Sequence, residues 1–289
     1  LDGLAGGVGG SMEHDGEDSA QNHWAVKTMI SNVETIEMMY PLLYLWRREI
    51  IDSGGPGWHR GGLGMESAMM PWGTTEIVQV NLGVGQEPRT CLGLAGGYPS
   101  NHSPVGIVRG SAVRKGFAEG RLPVTLEQMG GACEPGPPKG VSVIGTDDVL
   151  YAMVGSGGGG FGDPLRRDPA AVLADVREHA VSRPLAETVY GVAFAADGSV
   201  DGAATQARRR AQLAARLANA SPAADAGTLE CRACGHRGIP VVYDTGITDG
   251  EPEGFGRASD NFVLRHVCCS ACAELASVAH ARCGTDATA

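Results

Sequence analysis

The chain has 289 residues, 43% of them hydrophobic and 19% charged, with a formal net charge of −10. This is enough apolar sequence for a buried core, while the acidic balance, with no basic run longer than Arg208–Arg210, argues against a nucleic-acid surface, which needs a basic face. No apolar run approaches the ~20 residues that cross a bilayer, and the opening LDGLAGGVGG lacks the basic and apolar regions of a signal peptide, so a cytoplasmic protein is expected.

Residues 12–27 read as a polar loop leading into ordered chain. Within it, SMEHDGEDSAQNHW places His14, Asp15 and His23 near enough for acid/base or metal chemistry. The spacing matches no specific motif, and an exposed polar loop is the plainer reading. SNVETIEMMYPLLYLWRREI fits a strand entering a short helix, although periodicity alone does not separate the two. If it is helical, Glu34 and Glu37 lie one turn apart. DSGGPGWHRGGLGME (52–66) holds six glycines and a proline, which favours tight turns against another backbone.

From 75 to about 155, short β-rich runs (TEIVQVNLGV, PVGIVRGSAV, GVSVIG, DVLYAMVG) alternate with Gly and Pro clusters, the pattern of a β domain. EPGPPKG (134–140) reads as a surface turn, because proline cannot donate to a central ladder. Beyond the glycine run, Asp168 and Pro169 suit a helix start, with Val172, Leu173 and Val176 on one face. YGVAF reads as a strand, AADGSVDG as a turn, and ATQARRRAQLAARLA as a helix with exposed Arg and buried Leu and Ala. NASPAADAGT (219–228) is a linker by composition. These readings give an α+β chain: a β-rich, glycine-rich main domain over 1–218 with C-terminal helices, the linker, a small zinc-ribbon-like module over 229–283 and a tail over 284–289.

The run GSGGGGFGDPLRRDP (155–169) raises the question of a phosphate cradle. A phosphate-binding P-loop needs a lysine and a Ser or Thr after the glycines; here Phe161, Gly162, Asp163 and Pro164 follow. A dinucleotide fingerprint opens directly into a helix, whereas the helix expected here begins only near Asp168, and Asp163 would repel phosphate. A close-packed turn is the reading that remains.

Six of the eight cysteines lie beyond residue 230. Cys231 and Cys234 form one C-x-x-C pair and Cys269 and Cys272 a second, the donor set of a closed four-thiolate zinc site. Cys268 offers an alternative register and His236 a weaker substitute. Such a site leaves no open coordination position, so its expected role is structural or interfacial. Cys91 and Cys133 have no neighbouring base in sequence, no Gly-x-Ser-x-Gly elbow is present, and nucleophilic catalysis by this chain alone has no support. His59, His102 and His266 are single histidines with structural roles expected.

NVETIEMMYPLLYL, DSGGPGWHRGGLG, GSGGGGFGDPLRRDP and the following VLADVREHAVSRPLAETVYGVAF resemble the C-terminal part of the hydantoinase B/oxoprolinase family, over roughly residues 1–218. The resemblance implies a split or truncated subunit of a hetero-oligomeric, ATP-dependent enzyme. ATP and magnesium would sit on a hydantoinase A-like actin-fold partner, and a further polypeptide would carry the missing B-type N-terminal portion. The partner phosphorylates an enolate or lactam oxygen, and the B-type subunit handles the activated intermediate. Asn32, Glu34 and Glu37 are candidate catalytic residues on this basis. Asp52 and Arg60 join them as residues that, with the 54–64 glycines, either line a cavity or serve as turn scaffolding, and a catalytic divalent metal elsewhere in the complex is left open. The cysteine tail is similar to the small zinc-carrying subunit of acetone and acetophenone carboxylases. That favours a ketone carboxylase, with a hydantoin, lactam or 5-oxoproline amidohydrolase and a non-catalytic zinc-containing assembly subunit as the alternatives.

Overall fold

The computed structural model describes residues 6–20, 30–82, 91–101, 105–137, 139–152, 156–223, 226–245 and 262–282. His23, His102, Cys283 and residues 246–261, between the two cysteine pairs, lie outside these residues.

The spine of the larger domain is β2 (Met65–Pro71), buried along its whole length. It pairs antiparallel with β1 (Leu42–Glu49) on one side and β7 (Val149–Ala152) on the other. β4 (Val105–Arg109) and the edge strand β5 (Ala132–Pro135) complete the order β1-β2-β7-β4-β5. The two-residue alternation of strands separates two cores. Ala68, Met70, Val108, Val149 and Tyr151 face one side, closed by Val113 of α2 (Val113–Ala118) and Met129 of α3 (Leu126–Met129). Met69, Val105, Ile107 and Leu150 face the other, closed by a ribbon of β3 (Glu76–Leu82) and β6 (Lys139–Gly145). Sequence pattern led to β3, β4, β6 and β7, but not to β2, whose first two residues fall in the stretch read as turns, nor to α2 and α3, which are too short for a helical period to register.

Residues 32–45 run in the opposite order to that expected: helix α1 (Val33–Met39) comes first and β1 follows. Asn32 caps the helix, its Oδ1 accepting the amides of Glu34 and Thr35 at 2.8 and 3.3 Å. Pro41 ends it by forcing Tyr40 into extended geometry (φ −130°, ψ 146°). The prolines of EPGPPKG are tolerated because β5 is an edge strand, although that strand takes in Glu134 and Pro135 and the stretch is not turn throughout.

α4 (Pro169–Arg177) starts as expected, with Asp168 capping Ala170 and Val172 fully buried. α5 (Arg183–Thr188) and α6 (Gly202–Ala218) follow, packed through Val172, Val181, Ala186, Tyr190 and Val192. YGVAF is a buried extended segment with a single bridge, Phe194 to Val200, and not a sheet strand. The linker contains β8 (Ser221–Pro222), which pairs with β11 (Val241–Thr245) inside the sheet of the C-terminal module. That sheet has the order β13-β12-β11-β8, with β12 at Phe262–Cys268 and β13 at Leu275–Arg282. A two-strand ladder of β9 (Leu229–Glu230) and β10 (Arg237–Gly238) carries the first cysteine pair between its strands. The architecture is α+β, as the sequence indicates.

Candidate functional site

Four glycine-rich segments, around residues 7–10, 54–64, 93–97 and 157–162, lie against one another and bond by their main chains. Gly55 N–H donates to Gly158 O, Gly158 N–H to Gly62 O, Gly62 N–H to Val8 O and Gly160 N–H to Tyr98 O, all at 2.8 or 2.9 Å. Close approach explains the composition: a Cβ on Gly61 would sit 1.8 Å from the carbonyl oxygen of Gly158, and one on Gly158 2.0 Å from that of Val8. The glycines at 157–160 are thus the packed centre of a hub, and the amides of Gly158 and Gly160 are already donated to carbonyls.

Charged side chains lock the rim of this hub. The Arg60 guanidinium forms a two-pronged pair with Asp18 (2.7 and 3.0 Å) and donates Nε to Asp175 at 3.2 Å. Arg167 makes the matching pair with Asp15 (2.6 and 2.7 Å) and donates Nε to Asp175 at 2.9 Å. Asp15 also accepts the Arg60 amide, and Asp18 the Leu63 amide. Burial disfavours the charged form of both Asp15 and Asp18, yet the guanidinium bonds and charges outweigh it and hold both carboxyls below the usual range. Three carboxylates share two guanidinia, and burial pushes Asp175, the most enclosed of them, upward against the pull of Arg167 and Arg60.

At the end of the glycine run the hub meets the cysteine module. Asp163 caps Leu165 of the short 3₁₀ turn Pro164–Arg166 through Oδ1 and accepts the Leu275 amide on Oδ2 at 3.0 Å. It also pairs with Arg216 of α6, which donates in turn to Ala273 O. Tyr98 of the hub bonds His266 of β12 (Oη to Nε2, 3.1 Å), and His266 stacks on its cross-strand neighbour Tyr243 at 4.5 Å. Gly96, at φ +96°, lies so close to Leu275 that a Cβ would meet its carbonyl oxygen at 2.3 Å.

In the module the Sγ atoms of Cys231, Cys234, Cys269 and Cys272 lie within 4.8 Å of one another. Cys231 to Cys272 measures 3.6 Å and Cys234 to Cys269 3.8 Å. Four sulfurs at about 2.3 Å from a tetrahedral ion stand about 3.8 Å apart, so the donor set fits zinc. Both pairs sit on matching turns. Gly235 N–H bonds Cys231 O with φ +69° at Gly235, and Ala273 N–H bonds Cys269 O with φ +61° at Ala273. Cys268 is fully buried among Leu264, Leu275 and Val278, on the core side of β12, and does not join the cluster. His236 is exposed, with Nε2 3.4 Å from Ser270 Oγ.

The structure disperses the five candidate catalytic residues. Asn32 is the cap of α1. Glu37 accepts the Tyr44 amide at 2.7 Å, fastening α1 to β1. Asp52, at φ +64°, accepts the Ser182 amide at 2.6 Å and ties the second glycine segment to the start of α5. Arg60 belongs to the ionic rim. Glu34 is exposed, and among the described residues its carboxylate shows no hydrogen bond. Asp18, Asp163, Arg167, Asp175 and Arg216 escaped sequence reasoning as structural ions, and Asp15 was read as loop. Of these, only Asp15 and Asp163 stand next to a glycine, and apart from Arg167 and Asp175, eight residues apart, the ion-pair partners lie 42 to 152 residues away.

The sequence model described as Hydantoinase B/oxoprolinase matches residues 1–164, more than half of the chain, and the protein belongs to that family. The chain is 32% identical to the acetone carboxylase alpha subunit of Xanthobacter autotrophicus over 243 residues, covering 76% of this chain and 30% of that one. It is 33% identical to caprolactamase subunit beta of Pseudomonas jessenii over 183 residues (63% and 28%). It is 27% identical to the acetophenone carboxylase delta subunit of Aromatoleum aromaticum over 200 residues (66% and 29%). A nucleotide-free acetone carboxylase structure superposes with a TM-score of 0.68 at 29% identity, covering 77% of this chain and 31% of that one. The ATP-dependent caprolactamase of Pseudomonas jessenii gives a TM-score of 0.54 at 26% identity, covering 72% and 33%. The chain therefore spans about a third of the length of these relatives. Among the described residues no helix is long and apolar enough to cross a membrane.

Proposed function

We propose that the chain is part of the B-type component of a multi-subunit, ATP-dependent ketone carboxylase, acting on the phosphorylated enol that an ATP-binding partner produces. The observation that carries this reading is the likeness to acetone carboxylase over three quarters of the chain, in sequence and in fold. The hub is consistent with a division of labour, because the glycine amides that a phosphate would need are spent on neighbouring carbonyls. In this reading ATP and magnesium belong to an actin-fold partner of hydantoinase A type.

Phosphorylation turns a ketone enolate into a species with a good leaving group, and the second site must then exclude bulk water while carbon–carbon bond formation proceeds. Of the expected residues, Glu34 is the one whose carboxylate faces outward and is open to a proton transfer. Asn32 and Glu37 position it by fixing both ends of α1, while Asp52 and Arg60 hold the glycine segments. A zinc ion held by Cys231, Cys234, Cys269 and Cys272 would bind without an open coordination position and brace the module against the hub.

The second reading, a cyclic-amide hydrolase, draws on the caprolactamase likeness. The assembled complex tests both. ATP turnover that requires a ketone and bicarbonate supports the carboxylase, and turnover on a lactam or hydantoin without bicarbonate replaces it with the hydrolase.

A further inference from the structure

The β3–β6 ribbon has two unlike faces. Ile77 and Ile144 point to the sheet, where Ile144 is fully buried against Met69, Val105, Ile107 and Leu150. The register pairs Val78 with Val143 and Val80 with Val141, so these four valines share the opposite face. Their exposures are 63, 48, 61 and 64%. An antiparallel ribbon with one buried face ordinarily turns polar residues to water. Here the outward face is β-branched throughout its centre, and the charged residues of the ribbon, Glu76 and Lys139, stand at opposite ends. Two strands alone are marginal in water, and an apolar centre with a polar rim is the composition of an interface.

The size of the relatives points to what covers it. In the relatives named above, the shared region is only about a third of the polypeptide. We propose that the valine face of β3 and β6 packs against the part of the B-type fold that these residues do not include, whether that part is carried on the same polypeptide or on a second one. The inference rests on family membership and not on the reaction, so it stands or falls separately from the carboxylase reading.

The test uses the native assembly, with a photoreactive benzoylphenylalanine in place of Val80 or, in a second variant, Val141, and a control at the exposed Glu178. Irradiation followed by peptide mass spectrometry is expected to join both ribbon positions, and not the control, to peptides from the remaining B-type region, with at least ten-fold more product than at Glu178. Products joining the ribbon to its own copy, to the ATP-binding subunit, or to nothing above the control would each overturn the proposal. Turnover by the same preparations reports on the reaction alone.

Discussion

Asp163 and Arg216 meet in a two-pronged ion pair, 2.5 and 3.1 Å, at the seam between the glycine hub and the cysteine module, with side-chain exposures of 0 and 8%. Removing one partner of such a pair strands a charge away from water. Arg216→Met is therefore expected to lower stability by roughly 3–5 kcal/mol in urea denaturation. The double variant with Asp163→Leu should recover only part of that loss, because the Leu165 and Leu275 amides would still lack their acceptor.

The hub glycines predict a sharp asymmetry. Gly61→Ala and Gly158→Ala each drive a methyl into a main-chain carbonyl that cannot move without its neighbours, and each should cost more than about 4 kcal/mol or abolish folding. Gly202→Ala, at the first turn of α6 with nothing within 4 Å, should be neutral or stabilise by up to about 1 kcal/mol. Thermal melts of the three variants check this.

Metal analysis should find one zinc per chain. Cys234→Ser and Cys272→Ser are each expected to lose it. Cys268→Ser should retain it while destabilising the β12 core, since that thiol packs against Leu264 and Val278. A retained zinc in Cys272→Ser, or a lost one in Cys268→Ser, would contradict the assigned ligand set.

His266 gives a pH dependence of known sign. Burial, and then the charge of Arg216, push its pKa down to about 4, whereas an unfolded histidine titrates near ~6.5. Below that value the unfolded chain takes up a proton that the folded one refuses, so stability is complete above pH 6.5 and falls toward pH 4. The slope from this group is about 1.4 kcal/mol per pH unit. Urea midpoints at pH 7, 6 and 5.5, with zinc content verified at each, should show this fall, and His266→Gln should flatten it.

Glu34 separates chemistry from scaffolding. Glu34→Gln is expected to reduce kcat of the assembled enzyme by about 10²-fold or more, as for loss of an acid/base group, with the Tm unchanged. Asn32→Ala should instead cost about 1 kcal/mol through the lost helix cap. Full turnover in Glu34→Gln would remove it from the chemistry.

Local signals in the sequence were legible wherever their cause was local. Asp168–Pro169 opens α4, the alternating valines and isoleucines form strands, and the C-x-x-C spacing brings four sulfurs together. The order of α1 and β1 was misjudged because the apolar run 42–46 outweighs the brief cap and proline that delimit the helix. The ionic rim was illegible for another reason. Asp15, Arg60 and the Arg167–Asp175 pair are distant in sequence and carry no shared spacing, and the meeting of the glycine segments makes them neighbours. Their burial is a product of tertiary packing, which one-dimensional pattern does not encode.

One timing follows from Asp163. Its carboxylate is embedded in the middle of the chain, yet two of its partners, Arg216 and the Leu275 amide, leave the ribosome 53 and 112 residues later. A nascent chain that has emitted the hub gains the opposing charge only with Arg216, and the last amide donor to this carboxylate only with Leu275. The seam between hub and cysteine module therefore closes only after residue 275 has been made, and a product interrupted before it would remain unsealed there and open to quality-control proteases.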